Sequence, residues 1–537
     1  MTVNEWSLPA VLDVVTEAAP DREMLVWGSV RRSYRQVKDR TRRLAGFLGR
    51  AGLGVRRERA DLRRWECGQS PVAIMLSNCP EYLETMIGAY RARAVPFNVN
   101  HHYAPREISA LLDQVGAEAI VYHRRLGPAI GPNGRLLIDV DDRSGIDPLP
   151  GSIPFEVALH AEPGDLPTPD PDDLYLACTG GTTGTPKGVL WRQADLYVSA
   201  AGGVEGIDRA TIAATAGNGV GTWFAAPPLM HAAAQWTAFA ALHNGGTVAL
   251  HDDARPFDAH EILRTVERER VSMMSIIGDA YARPLIEAIR TGSHDLSSLA
   301  RLGTGGAVTS AALKHELLDL LPGLTVVDGY GASETGGMAY GASRKGAETR
   351  QFDPAPGAAV LAEDRSRFLT PGEDEIGWTA RTGRVPLGYL GDRARTEHTF
   401  PIIDGQRVAV PGDRARYAAD GRIELLGRDA MVINTGGEKV FVEEVEEVLR
   451  RHPDIDDALV VGRPSERFGE EVVALVQPRP GTAPTALDIR AFVAGEIARF
   501  KAPRAVLLVE RVGRHPTGKA DYGWARRAAL DAVPAAA

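Results

Sequence analysis

The sequence predicts an α/β protein. A large N-terminal domain of two helix-covered, mostly parallel sheets plus a small β-rich subdomain is followed by a small α+β C-terminal domain. Three observations lead there. Helix-like and strand-like hydrophobic patterns alternate through the first 170 residues, and the style resumes from about 173 to 330. Such alternation builds parallel sheets covered by helices. Between residues 370 and 425 the strands shorten and turn pairs such as Pro371-Gly372, Pro411-Gly412 and Asp420-Gly421 become frequent, as in a compact β unit. After Gly427-Arg428 the rhythm changes once more, which sets a domain boundary near residue 428.

In order along the chain, residues 34–54 read as a helix ended by glycine, 71–76 (PVAIML) as a buried strand, 81–92 as a helix and 95–98 as a strand. Residues 56–66 carry five arginines and read as a solvated loop. Residues 161–172 (AEPGDLPTPDPD) form a Pro/Asp-rich connector. A short apolar strand at 174–178 runs into a Gly/Thr-rich stretch, and an amphipathic segment covers 189–200. Toward the C-terminus come a hairpin (431–441), a charged helix (443–451), strands at 458–462 and 472–477, a helix at 486–498 and a strand at 505–509. The expected units are therefore 1–427, with subdomains at about 1–170, 171–345 and 346–427, and 428–537. The Ala/Pro tail from Val533 is expected to fray.

With 44% apolar residues, 24% charged residues and a net charge of −9, the 537-residue chain has an ordinary globular composition. The negative balance argues against general binding of nucleic acid or anionic membranes. It leaves room for an anionic ligand held by local N–H donors and lysines. The three cysteines, Cys67, Cys79 and Cys178, are not spaced as metal ligands, and Cys178 reads as a small core residue. No basic region followed by an apolar core opens the chain, and no apolar run approaches the roughly 18 residues of a membrane span. A cytoplasmic protein is expected.

The most informative stretch is 179–188, TGGTTGTPKG. Glycines let main-chain N–H groups approach an anion, threonine hydroxyls add donors, and Lys187 adds charge, which together suit a polyphosphate. A Walker A loop would need Gly, four residues, then Gly-Lys-Ser/Thr; here Pro186 precedes Lys187 and Gly188 follows it. Alone, the stretch reads equally well as a surface loop. Further segments follow in order: PLMH at 228–231, GTGGA at 303–307, GYGASET at 329–335, PGD at 411–413 with Gly427-Arg428 behind it, and PTGK at 516–519.

With these motifs in this order, the chain resembles the adenylate-forming superfamily of acyl-CoA synthetases, adenylation domains and firefly-type luciferases, from about residue 30 to 530. Trp191-Arg192 and INTGGEKV at 433–440 are most similar to actinobacterial acyl-CoA synthetases acting on fatty acids and steroid side chains. The resemblance implies ATP-dependent activation of a carboxylic acid to an acyl-adenylate with release of pyrophosphate, then thioester formation with coenzyme A. It implies ATP, Mg2+ and coenzyme A as cofactors. Thr179, Gly180, Gly181, Thr182, Thr183, Gly184 and Lys187 would hold the β- and γ-phosphates, Glu334 would ligate Mg2+, and Thr335 would donate to the α-phosphate. Asp328, Gly329 and Tyr330 would border the nucleotide, Tyr330 with a flat face to adenine. Gly305, Gly306 and Ala307 would let the base and the acyl group approach the backbone. Asp413 would accept from the ribose hydroxyls, with Arg428 helping to fix them. Lys519, a compact charge on a flexible stem, would reach the carboxylate and the α-phosphate. His231 would border the acyl carboxylate; a histidine capping a strand end is the other reading. Gly436, Gly437 and Lys439 match a loop that closes on the pantetheine arm of coenzyme A.

Two positions depart from the family pattern. Ala430 stands where many relatives carry a hinge Asp or Lys, and Val442 where a proline is usual. Both fall on the thiol-transfer side, so an adenylating enzyme that passes acyl-AMP to a carrier protein or partner ligase is the alternative. A non-catalytic ligand-binding protein on this fold is a further one, although Glu334 and Lys519 are both retained. A homodimer is left open. Ala232 stands where amino-acid-specific domains usually place an Asp, and an unpaired ammonium would be costly to bury. Small residues at 232–234, with Trp223, Trp236 and Phe239 nearby, read as an apolar cavity or as plain core packing. A hydrophobic acid is expected: fatty, steroid side-chain or terpenoid.

Overall fold

A computed structural model describes residues 4–179, 187–307, 309–347, 351–428, 431–435, 438–465, 469–497, 499–515 and 518–532, with main chain only at 428, 434, 438 and 439. Among these residues two large sheets dominate. One has eight strands in the order Gly388–Tyr389, Lys187–Arg192, Leu174–Thr179, Val95–Asn98, Pro71–Met75, Ala119–His123, Leu136–Val140 and Ile153–Pro154. Its strands from Leu174–Thr179 to Ile153–Pro154 run parallel, as the alternating pattern predicts. Pro71–Met75 is buried along its whole length, which is why it reads as an unbroken apolar run.

The second sheet has nine strands in the order Asp353–Pro354, Gly336–Ser343, Thr325–Ala332, Arg301–Gly305, Val271–Ile276, Thr222–Ala225, Thr247–Leu250, Glu23–Trp27 and Val30–Ser33. Neither sheet respects the connector at 161–172. Strands before it (23–33) complete the second sheet, and strands after it (174–192) complete the first. The segment 189–200 also differs from its amphipathic expectation. It is the end of strand Lys187–Arg192 followed by helix Gln193–Ser199. Val189, Leu190 and Trp191 are all buried, so burial on both faces erased the alternation that marks a strand.

A four-stranded antiparallel sheet, Ala358–Leu361, Gly377–Arg381, Asp413–Tyr417 and Ile423–Arg428, forms the β-rich subdomain. The C-terminal sheet has five strands: Glu438–Phe441, Val432–Thr435, Gly469–Pro478 and Ile455–Ser465, with Ala505–Leu508 parallel to Gly469–Pro478. Along Ile455–Ser465, Ala458 and Val460 pack with helices Val442–Arg450 and Ala486–Glu496, whereas Leu459 and Val461 pack with helix Tyr522–Asp531. This two-residue period makes a sheet with both faces covered. No helix among the described residues is long and apolar enough to cross a membrane.

The motif-bearing segments follow the carboxyl ends of strands, including Thr222–Ala225, Arg301–Gly305 and Thr325–Ala332. Open α/β sheets bind ligands at that edge. The C-terminal sheet docks beside it. Arg283 Nη1, on helix Gly278–Thr291, pairs with Asp456 Oδ1 at 3.0 Å, and a Cβ at Gly518 would lie 2.7 Å from Ala280 Cβ.

Candidate active site

Strands Leu174–Thr179 and Lys187–Arg192 form an antiparallel pair that sets Thr179 opposite Lys187. The Gly/Thr-rich stretch is thus a hairpin connection between two buried strands. Gly180, Gly181, Thr182, Thr183 and Gly184 lie outside the described residues. The buried Asn98 ties this hairpin to the segment before His231. Its Nδ2 donates to the carbonyls of Cys178 and Met230, both at 2.7 Å, and its Oδ1 accepts from the Cys178 N–H at 2.9 Å. Burial pushes the Cys178 thiol up to about 12, so it is inert packing.

Lys187 and Glu334 meet at Tyr389. The phenol donates to Glu334 Oε1 at 2.7 Å, and Lys187 Nζ lies 5.8 Å from the ring centroid. The turn that carries Glu334 is fixed from two sides. Trp191 Nε1 donates to the Ser333 carbonyl at 2.9 Å. The buried Arg381 guanidinium donates to the carbonyls of Thr335, at 2.8 Å, and Gly337. Thr335 differs from its sequence expectation. Its hydroxyl donates to the Gly336 carbonyl at 3.0 Å and accepts from the Ala332 N–H at 2.9 Å, and the residue is fully buried. A hydroxyl has one proton to give; here it closes the turn instead of facing outward.

On the nucleoside side, Tyr330 Oη donates to Asp413 Oδ2 at 2.6 Å and contacts Thr379 Oγ1 at 3.1 Å. Asp413 sits opposite Arg428 in the antiparallel pair, so the strand register unites the expected ribose pair. The Arg428 side chain lies outside the described residues. Gly305 pairs with Gly329 on the parallel neighbour. A Cβ at Gly305 would fall 2.9 Å from the Gly329 carbonyl oxygen, whereas Gly306, at φ +74°, opens onto free space with Ala307 beyond it. Asp328 faces elsewhere: Oδ2 accepts from Lys314 Nζ at 2.9 Å, and burial raises its pKa. It anchors helix Ala311–Leu320.

His231 is the N-cap position of helix Ala232–His243 but makes no side-chain cap bond. Its buried Nε2 has no hydrogen-bond partner among the described residues. Burial foremost, then the charges of Lys519 and His102, hold the ring down at about 4. The imidazole is therefore neutral and lies within the electrostatic reach of Lys519. The lysine loop is braced by Arg514, which donates to the Gly518 carbonyl at 3.1 Å and pairs with Asp457 at 2.7 Å. Gly436 and Gly437 lie outside the described residues, as does the Lys439 side chain.

The aromatic trio at 223–239 separates. Phe239 is core, packed 6.4 Å from Tyr90 and 5.5 Å from His243. Trp223 stands at the amino end of its strand, donating to the Val220 carbonyl at 3.1 Å with Arg301 over its ring. Neither joins His231. On helix Ala232–His243 the less buried face carries Ala233, Trp236, Thr237 and Ala240.

Among the described residues there is no cluster of three or more His, Cys, Asp or Glu able to hold a metal. Glu334 alone fits Mg2+, which binds through one or two carboxylates and takes its remaining ligands from phosphate and water. Oε1 is engaged by Tyr389, so Oε2 is the oxygen that could serve a metal. Sequence reasoning missed Tyr389, Arg381 and Asn98. Each acts through strand pairings or contacts across 44 to 132 positions, and no local pattern marks them.

Two family models match the chain: AMP-binding enzyme over residues 12–373, and AMP-binding enzyme C-terminal domain over 444–519. The chain is 44% identical over 547 residues to the medium-chain acyl-CoA ligase Mig of Mycobacterium avium, covering 99% of each. It is 35% identical over 546 residues to a 3-oxocholest-4-en-26-oate–CoA ligase of Rhodococcus rhodochrous, covering 96% of this chain and 95% of that one. Among solved structures it is similar to a benzoate CoA ligase from Burkholderia xenovorans LB400, with a TM-score of 0.78 at 21% identity over 97% of this chain and 100% of that one. At that identity the likeness concerns the fold.

Proposed function

The chain belongs to the AMP-binding enzyme family, and from that premise we propose that it is an AMP-forming acyl-CoA ligase for a hydrophobic carboxylic acid. The site reading is supported by two separately built parts of the chain: the Lys519 loop packs on helix Gly278–Thr291 at Ala280, and the charge of Lys519 reaches His231. In the first half-reaction a carboxylate oxygen bonds to the α-phosphorus of ATP while the bond to the β-phosphate breaks and pyrophosphate leaves. In the second, the thiol sulfur of coenzyme A bonds to the acyl carbon, its proton passes to solvent, and AMP departs. The first step brings two anions together, so preorganised positive charge lowers its barrier.

In this reading Lys519 lies between carboxylate and α-phosphate, and neutral His231 donates to or orients the carboxylate. Lys187 takes the outer phosphates together with the main chain of 179–188. Bound Mg2+ would neutralise phosphate charge, and Glu334 Oε2 is the protein atom that would hold it. Tyr330 and Asp413 take the nucleoside, with Asp413 the acceptor for ribose hydroxyls. We place the boundary between the two domains near residue 428, where Arg428 leaves the strand opposite Asp413.

A hydrophobic acid is favoured by the helix face beside His231. Ala232 and Ala234 are buried and Ala233 is open, so the first turn offers no carboxylate to an ammonium. The two relatives above are named for medium-chain and steroid acids. The test is a panel of fatty, aromatic and polycyclic acids with ATP, Mg2+ and coenzyme A, with acyl-adenylates trapped as hydroxamates and thioesters detected by mass. Thioester from a hydrophobic acid is the expected outcome. Accumulation of acyl-AMP without thioester would move the acceptor to a carrier protein or partner ligase. No pyrophosphate exchange with any acid would overturn the enzyme reading.

A further inference from the structure

Glu334 and Lys187 lie on different parts of the chain, and a third residue touches both. Strand Gly388–Tyr389 pairs with Lys187–Arg192 so that Tyr389 stands opposite Val189. Lys187 is two positions from Val189 and so shares its face of the sheet. That register carries the ring under Lys187 Nζ, 5.8 Å from the centroid, and the hydroxyl to Glu334 Oε1 at 2.7 Å. The ring itself is locked. Arg395 lies over it at 5.7 Å and Phe400 packs at 5.8 Å. The Tyr389 N–H donates to Thr396 Oγ1 at 2.9 Å. A Cβ at Gly388 would sit 2.4 Å from Thr396 Cγ2, so helix Arg393–Thr399 is seated directly on this strand, and only glycine allows it.

We propose that Tyr389 is a positioning residue: it aims the free oxygen of Glu334 and sets it in register with Lys187, so that metal and lysine engage one polyphosphate. The inference rests on the reading of Glu334 as the metal carboxylate. With Oε1 accepting from the phenol, the Glu334 carboxylate is held in a fixed orientation that directs Oε2. Orienting partners of this kind hold a ligand in place, and their loss typically weakens metal binding about 10–100-fold. The same ring gives Lys187 a π face, which draws its ammonium toward the carboxylate side. One side chain thus ties the two charges that must act together.

Two substitutions separate these contributions. Tyr389→Phe keeps the ring and its contact with Lys187 and removes only the donor. Tyr389→Leu removes both. Mn2+ can be titrated into protein with a non-hydrolysable ATP analogue, with free Mn2+ read from its EPR signal, and the metal-free analogue can be titrated separately by calorimetry. Tyr389→Phe is expected to weaken Mn2+ binding by about tenfold or more with the metal-free affinity unchanged. Tyr389→Leu is expected to weaken the metal-free affinity as well. Glu334→Gln is the control for the premise. If Glu334→Gln loses Mn2+ affinity and Tyr389→Phe keeps it, the inference is overturned. If Glu334→Gln itself keeps wild-type affinity, the reading of Glu334 falls instead, and the role of Tyr389 with it.

Discussion

The part of the site proposed to hold phosphate and the lysine proposed to face it are built to different standards. Glu334 sits on a turn whose carbonyls are held by Trp191 and by the buried Arg381, and its carboxylate is held by Tyr389. All three partners belong to strands, Trp191 and Tyr389 to the eight-stranded sheet and Arg381 to the four-stranded one. Lys519 is exposed and arrives on a loop braced within the C-terminal part by Arg514 and Asp457. That part is held to helix Gly278–Thr291 by Arg283 and Asp456, whose side chains are 41% and 24% exposed. Half-exposed pairs of this kind are worth roughly 0.2–1 kcal/mol. One side is preorganised by burial; at Arg283 and Asp456 the other is joined through a partly exposed ion pair.

The strongest way to break this comparison is Lys519→Ala. Adenylation, followed by pyrophosphate exchange, is expected to fall about 10²–10³-fold, the usual cost of one preorganised charge-stabilising group. Thiolysis of supplied acyl-adenylate is expected to stay close to wild type. Equal loss of both steps would mean that Lys519 belongs to the same rigid block as Glu334. Glu334→Ala comes next. It is expected to raise the Mg2+·ATP requirement for exchange about tenfold or more, while thiolysis, which needs no β,γ-phosphate, is spared. An unchanged Mg2+ dependence would remove Glu334 from the metal site.

The same contrast decides how much of the site was legible in the sequence. Lys187, Glu334, Asp413 and Lys519 are recognisable because each stands in a short motif, and the motifs keep a fixed order. The element order of the C-terminal part is legible as far as residue 509, whereas helix Tyr522–Asp531 is not read from the sequence. Tyr389 and Arg381 are not legible. Their meaning comes from which strand lies beside which, and Gly388–Tyr389 joins a sheet whose other strands end two hundred residues earlier. The interleaving of 23–33 with 222–354 is hidden for the same reason: pairing between distant strands leaves no local periodicity. For Phe239 the sequence leaves pocket lining and core packing open, and its helix turns it into the core. Thr335 shows a different case, a hydroxyl in a motif that the main chain consumes.

Arg283→Ala probes the docking contact directly. A partly exposed pair converts to an effect of up to about fivefold on adenylation, with thiolysis unaffected, measured as the two half-reactions apart. A loss as large as that of Lys519→Ala would show that the docked state depends on this one pair, and the two sides would then be equally rigid.

The smallest effect gives the most direct view of the docked lysine. His231 is held at about 4 by burial first and by Lys519 second, against about 6.5 in an unfolded chain. The unfolded chain therefore binds more protons between those values. The stability that this histidine contributes is present above about pH 6.5 and is lost as pH falls toward 4. The ring is neutral from pH 6 to 8, so no histidine titration of His231 should appear in the adenylation profile there. Lys519→Met removes one cation beside the ring. The His231 pKa, followed by ring proton–carbon correlation NMR, is expected to rise, yet to stay below 6.5 because burial remains. A pKa that does not move would place Lys519 away from His231 in the resting enzyme. Docking would then have to be induced by substrate, and the weak side of the site would be weaker still than the Arg283–Asp456 pair suggests.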